Sequence, residues 1–227
     1  MGGADMAVSE EAFSLKNQQK GAADFKWPEW FATLRHYRNP SDWRAVWQLT
    51  NTLLPYACLW WIMIWSIRQG LPYGLTVTLA AVAALFLVRV FILFHDCVHG
   101  SLFPKMGANT FFGHALGMLV FTPFDDWRFS HLRHHTSYAD LDARGFGDIW
   151  TLTRLEYEKA SKPKQVSYRL YRHPVVLLGL GAVFSFLLRF RLPSRRTKRK
   201  ERMSVLFTNL IIAVVILIAA QTIGLRT

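Results

Sequence analysis

The sequence predicts an all-α integral membrane fold: a transmembrane helical bundle with a histidine-box cap on its cytoplasmic side. Two observations carry this. Of 227 residues, 52% are hydrophobic and 15% aromatic, while the formal net charge is +12, a pairing common in membrane proteins and unusual in soluble domains. The apolar residues also gather into long uncharged runs, and Lys and Arg flank those runs instead of covering a polar domain. Basicity of this kind points to a membrane surface and away from nucleic acid. Cys58 and Cys97 are the only cysteines, so neither a disulfide framework nor a zinc knuckle is expected.

Residues 1–26 read as a flexible polar tail, with no apolar stretch that would make a cleavable signal. From Trp27 to Trp47, aromatic residues alternate with Arg35, Arg38 and Arg44, a pattern suited to helices lying in the membrane interface. Asn39-Pro40-Ser41-Asp42 breaks that segment. Leu49 to Ile67 carries no charge and approaches the roughly 20 residues a span requires. A turn at Gly70, Pro72 and Gly74 leads to a second span, Leu75 to Phe94, whose Arg89 must snorkel or face the protein interior. Two further apolar runs cover residues 174–190 and 204–224, with the very basic Arg191 to Arg202 between them.

Positive charge collects on the cytoplasmic side. Arg35, Arg38 and Arg44 therefore place the N-terminus inside, and two spans return the chain inside at His95. A full span at Pro174–Phe190 would put Arg191–Arg202 outside. Residues 174–190 are accordingly expected to form a re-entrant or in-plane helix, and residues 204–224 the third span. An odd number of spans leaves Thr227 outside, so the natural chain is expected to continue.

Five of the eight histidines fall in two clusters. His95 and His99, four apart, share one helical face, and His131, His134 and His135 follow an i, i+3, i+4 pattern. Neutral imidazoles suit iron, zinc or copper. A single His-x-x-x-His also arises by chance, and a histidine-rich loop can be a solvated face; two clusters on one side of a membrane argue for a metal site. Asp96 could orient a ligating imidazole through its second nitrogen. Asp125, Asp126, Asp140, Asp142 and Asp148 read as solvated carboxylates or helix caps. His114 reads either as a hydrogen-bonded core histidine or as a support for the ligands, His36 and His173 as interfacial, and Cys97 as a small buried thiol that packs.

These motifs resemble the membrane fatty acid desaturases. HDCVHGSLF, His95 to Phe103, is similar to the family's first histidine box, and PFDDWRFSHLRHH, Pro123 to His135, to its second. DLDARGFGDIWTLTRLEY, Asp140 to Tyr157, resembles a segment of the bacterial and plastid-type acyl-lipid branch of delta-12, or omega-6, type. The resemblance covers residues 27–227 as a partial desaturase domain. It implies that His95, His99, His131, His134 and His135 ligate two non-haem irons. It also implies dioxygen as oxidant, membrane lipid acyl chains as substrate, and a ferredoxin or cytochrome b5 type electron donor. Val98 stands where this branch usually has glycine. The family's third box, His-x-x-His-His, has no counterpart in the 227 residues, so the isolated fragment is expected to be inactive.

Oxidising an unactivated methylene is beyond amino-acid side chains, so the metal carries the hard step and the protein positions the chain. A related di-iron hydroxylase or oxygenase would share this ligand set. A membrane zinc hydrolase would need fewer histidines and a carboxylate base, and a non-catalytic membrane fragment would need neither.

Overall fold

A computed structural model describes residue 30 and residues 33–34, 39–137, 140–142, 144, 149–194 and 197–222. The expected tail, His36, Asp148 and the last residues of the expected third span lie outside these. Met1–Asn39 and Pro40–Thr227 are separate compact units, and every helix named below belongs to the second. Among its described residues are eight α-helices, one π-helical segment, one 3-10 turn at Arg189–Arg191 and no strand: α1 Asp42–Arg68, α2 Tyr73–His99, α3 Met106–Leu119, α4 Phe124–Thr136, α5 Arg154–Lys159, α6 Lys162–Arg172, α7 Gly181–Leu187 and α8 Arg199–Thr222.

Helix α1 starts at the break read from the sequence: Ser41 caps it with its carbonyl, bonded by the Ala45 N–H at 3.0 Å, and Asp42 lies in the positive first turn. It then runs unbroken into the apolar segment. Trp43 and Trp47 thus ride on the same helix as Leu49–Ile67 and do not belong to a separate in-plane helix, because no breaker follows Asp42 until Pro55. Pro55 withholds the N–H that would bond the Asn51 carbonyl. The Asn51 side chain accepts from Arg89 across the helix pair at 2.7 Å, which answers where the charge inside α2 goes.

Two helices among the described residues are long and apolar enough to cross a membrane, Tyr73–His99 and Arg199–Thr222, each holding an 18-residue stretch of mean hydropathy 2.6. Helix α1 is as long as α2 but is not one of them, since Asn51, its threonines and its tryptophans dilute the Leu49–Ile67 run. Residues 162–191 form a helix pair bent by 68°, with the π-helical turn Val175–Leu180 opening the second limb.

The core lies at the histidine-bearing end of α2. Val90, Leu93, Phe94, Cys97 and Val98 recur at helical spacing and pack with Ala45 and Leu49 of α1, Leu116 of α3 and Phe124 of α4. Away from this end α2 leaves Val77, Leu85, Val88 and Ile92 exposed. Gly113 and Gly117 let α3 approach closely: a Cβ on Gly113 would strike the Phe124 ring, and one on Gly117 the Thr122 carbonyl. Helix α2 stops directly after His99, where Gly100 takes φ 70° and closes the end through Ser101 N–H to Asp96 O at 2.9 Å.

Candidate metal centre

Four of the five histidines singled out in the sequence converge. One nitrogen from each of His95, His99, His131 and His135 lies within 4.8 Å of all the others. The Nε2 atoms of His99 and His95 are 3.3 Å apart, those of His99 and His131 3.0 Å, and those of His131 and His135 3.0 Å. Helix α2 supplies the first pair from its last two turns, and α4 supplies the second from its own end.

This pattern differs from a chain of hydrogen bonds. A neutral imidazole nitrogen offers one in-plane site, either a donated proton or a lone pair. His131 Nε2 faces two nitrogens at 3.0 Å, and His99 Nε2 also faces two, so one site each cannot satisfy both neighbours. Nitrogens aimed at a common point do fit a shared cation, and separations of 3.0–3.3 Å suit imidazoles bound at about 2.1 Å. Burial, followed by the fields of His95, His135, His99 and His134, pushes His131 down to about 4. It is therefore unprotonated near neutral pH, the form a metal requires.

The remaining sequence candidates sit elsewhere. His134 lies beside the group, its ring 6.4 Å from His131 and 6.0 Å from His135, but is not among the converging four. Asp96 Oδ1 stands 3.7 Å from His95 Nδ1, beyond hydrogen-bond reach yet on the side of the ring facing away from the cluster. His114 does not reach the cluster; its Nε2 is 3.4 Å from Asp125 Oδ2 and its ring packs on Phe124. Cys97 is buried in the core, as the sequence suggested. His173 is exposed at the end of α6.

Two carboxylates read as solvated or as helix caps lie in the first turn of α4 and are buried. Asp125 is 9% and Asp126 3% exposed, because partners arrive from far along the chain. Lys200 Nζ lies 2.8 Å from Asp125 Oδ1, and the Asp125 N–H reaches Ser204 Oγ. Asp126 accepts from the Ser194 N–H at 2.9 Å and the Ser194 hydroxyl at 2.8 Å. Burial alone would raise the Asp125 carboxyl, but bonds from His114 and Lys200 outweigh it and hold it low. Both carboxylates lock the first turn of α4, and hence the register of its histidines, against α8 and the segment before it.

Two residues of α4 with no role read from the sequence complete the site. Trp127 stacks on His131 and meets Phe94 and Phe91 on its other contacts. Arg128 donates from Nε to the Val98 carbonyl at 3.1 Å, tying α4 to the last turn of α2. The spacing Trp127-x-x-x-His131 was a legible signal, since residues four apart share a helix face.

Beyond the site, Arg144 grips both Glu156 carboxylate oxygens, at 2.7 and 3.0 Å, and also donates to the carbonyls of Leu141 and Thr151. Glu156 in turn closes a capping box with Thr153 at the start of α5. Arg144 is thereby tied to Leu141, Thr151 and the start of α5.

Comparison with known proteins agrees with this geometry. The fatty acid desaturase family model matches residues 69–226. A fatty acid desaturase of Bacillus subtilis (strain 168) is 40% identical over 184 residues, covering 81% of this chain and 51% of that protein. An sn-1 oleoyl-lipid 12-desaturase of Arthrospira platensis is 36% identical over 89 residues, 38% of this chain and 24% of its own length. An Arabidopsis thaliana chloroplastic sn-2 acyl-lipid omega-3 desaturase (ferredoxin) is 29% identical over 119 residues, 52% of this chain and 25% of that one. The chain thus spans about half the length of the Bacillus subtilis relative and about a quarter of the other two. No solved structure matches. With the family model covering both histidine clusters and the helices that bring them together, the chain belongs to the fatty acid desaturase family.

Proposed function

We propose that this chain supplies the first two histidine boxes of an oxygen-dependent acyl-lipid desaturase that introduces a cis double bond of delta-12, or omega-6, type. The convergence of His95, His99, His131 and His135 between two family motifs carries the reading. Iron held there would supply, with dioxygen and electrons from a ferredoxin or cytochrome b5 type donor, an oxidation no side chain performs. His134, beside the converging four, is assigned to a second ion. The 12-position is suggested by the Arthrospira platensis relative's name, the donor class by the Arabidopsis thaliana relative's. The two apolar helices and the basic residues 191–202 support a membrane protein with its histidines on the cytoplasmic side.

The chain's own residues divide the remaining work. An apolar cavity of about 700 Å³ runs between α2 and α7, lined by Leu87, Phe91, Phe121, Phe186 and Leu187, and suits an acyl chain. Phe91 meets Phe186 edge-on inside it and Trp127 outside it, both at 5.6 Å. Trp127 then contacts His131, so one aromatic path joins the cavity wall to the imidazoles. Trp127 also covers one face of His131 from water, and Arg128 holds the two ligand-bearing helices in register.

The deciding experiment is expression of the complete gene in a host lacking polyunsaturated lipids, with gas chromatography and mass spectrometry of its fatty acids. A new cis bond at the 12-position, lost in His131→Ala, is the expected result. A hydroxylated product would make the enzyme a hydroxylase, a bond elsewhere would correct the regiochemistry, and one bound zinc without iron would overturn the reading.

A further inference from the structure

Helix α6 has two unlike faces. Gln165 donates to the carbonyls of Tyr157 and Ala160, Tyr168 and Tyr171 take the backbone N–H groups of Leu152 and Trp150, and Arg169 reaches the Tyr157 hydroxyl. These residues fix one side of α6 against α5 and the segment before it. Val166 and Leu170, four apart, share the other side, and each is 63% exposed. An apolar pair left open on an otherwise polar helix calls for a partner.

The surroundings say what kind. Helix α6 contains Lys162, Lys164, Arg169 and Arg172 and no acidic residue, and among the described residues none of these cations has an acidic partner. The neighbouring acids of α5 are already engaged, Glu156 by Arg144 and Glu158 by Arg154. One residue past α6 the chain bends by 68° into a limb whose Val175, Leu178, Val183 and Leu187 are all exposed and apolar. A basic helix with an apolar stripe, joined at an elbow to an apolar helix, has the composition of an interfacial anchor. We propose that α6 lies in the plane of the membrane surface, with Val166 and Leu170 dipped among the acyl chains and its cations on anionic lipid headgroups, while the second limb turns into the bilayer.

This rests on the membrane reading above, and the test separates the two. Nitroxide labels are placed singly at Val166→Cys, Leu170→Cys and Lys164→Cys on α6, and at Val88→Cys on α2, in a Cys58→Ser background; Cys97 is buried. The full chain is reconstituted in nanodiscs of phosphatidylcholine alone or of an equal mixture with phosphatidylglycerol. Collision with dissolved oxygen is compared with collision with a water-soluble nickel chelate. The expected result is oxygen-dominated relaxation at 88, 166 and 170 but nickel-dominated relaxation at 164, with 166 and 170 shifting further toward oxygen when phosphatidylglycerol is present. That shift should shrink in high salt and in Lys162→Glu/Arg172→Glu. Nickel-dominated relaxation at 166 and 170 with oxygen at 88 overturns this inference alone; nickel at 88 as well overturns the membrane reading with it. Labels at 166 and 170 that neither reagent reaches mean that protein covers the face, and they overturn the inference too.

Discussion

Trp127 lies flat against His131, ring centroids 4.2 Å apart and planes 15° from parallel. The imidazole held this way is the one whose nitrogen faces both His99 and His135. Stacking contributes about 0.5–1.5 kcal/mol beyond buried area, so Trp127→Leu should weaken metal binding by roughly 2- to 10-fold. Trp127→Phe should fall between. Visible-band titration with cobalt(II) measures this, and an affinity unchanged in Trp127→Leu would remove the stack from the site's design.

His131 sits at the middle of the cluster and His134 at its margin, which separates their expected effects. His131→Ala should reduce bound metal per chain to background. His134→Ala should leave most of it in place, since four imidazoles still converge. Elemental analysis of protein purified with iron or cobalt tests the ranking; equal losses would move His134 into the first ion's ligand set.

Asp125 links acidity to stability. Its carboxyl is held below its ordinary value in the fold, so the carboxylate adds stability above the unfolded value of about 3.9. That contribution disappears as pH falls through the lower folded value. Hydrogen bonds to charged groups contribute about 1.5–3 kcal/mol, and Asp125→Asn should lose about that much near neutral pH and show a flatter acid limb. Denaturation in detergent micelles across the acid range measures both, and parallel curves for the two proteins would refute the linkage.

Arg144 serves one carboxylate and two carbonyls at once, a task for a planar fork of donors that a lysine cannot duplicate. Arg144→Lys should therefore speed chymotrypsin cleavage between α4 and α5 with little change in overall unfolding. Cleavage at the parent rate would show that the segment's fold does not depend on the fork.

What the sequence disclosed follows the range of the interactions involved. Helical spacing within α2 and α4 was enough to pair His95 with His99 and His131 with His135, because each pair belongs to one helix. The burial of Asp125 and Asp126 depends on Lys200, Ser204 and Ser194, roughly seventy residues away, and no local pattern announces such partners. Helix α1 extends through Trp43 and Trp47 because interfacial aromatics and spanning aromatics have the same composition and differ only in the chain's path. The approach of His114 to Asp125 comes from the packing of α3 on α4, another contact between elements that the sequence does not encode locally.

Helix α2 is one unbroken rod, about 40 Å long at 1.5 Å per residue, that carries two imidazoles on its final turns. Both imidazoles are carried by the rod itself, so no linker separates it from the cluster. A change in the tilt of α2 would carry His95 and His99 with it, and the Arg128 bond to the Val98 carbonyl is what would keep His131 and His135 of α4 in step. On the membrane reading proposed above, bilayer thickness is expected to act on the spacing of the nitrogens through this rod; cobalt affinity compared in short-chain and long-chain phosphatidylcholine tests it, and equal affinities would refute it.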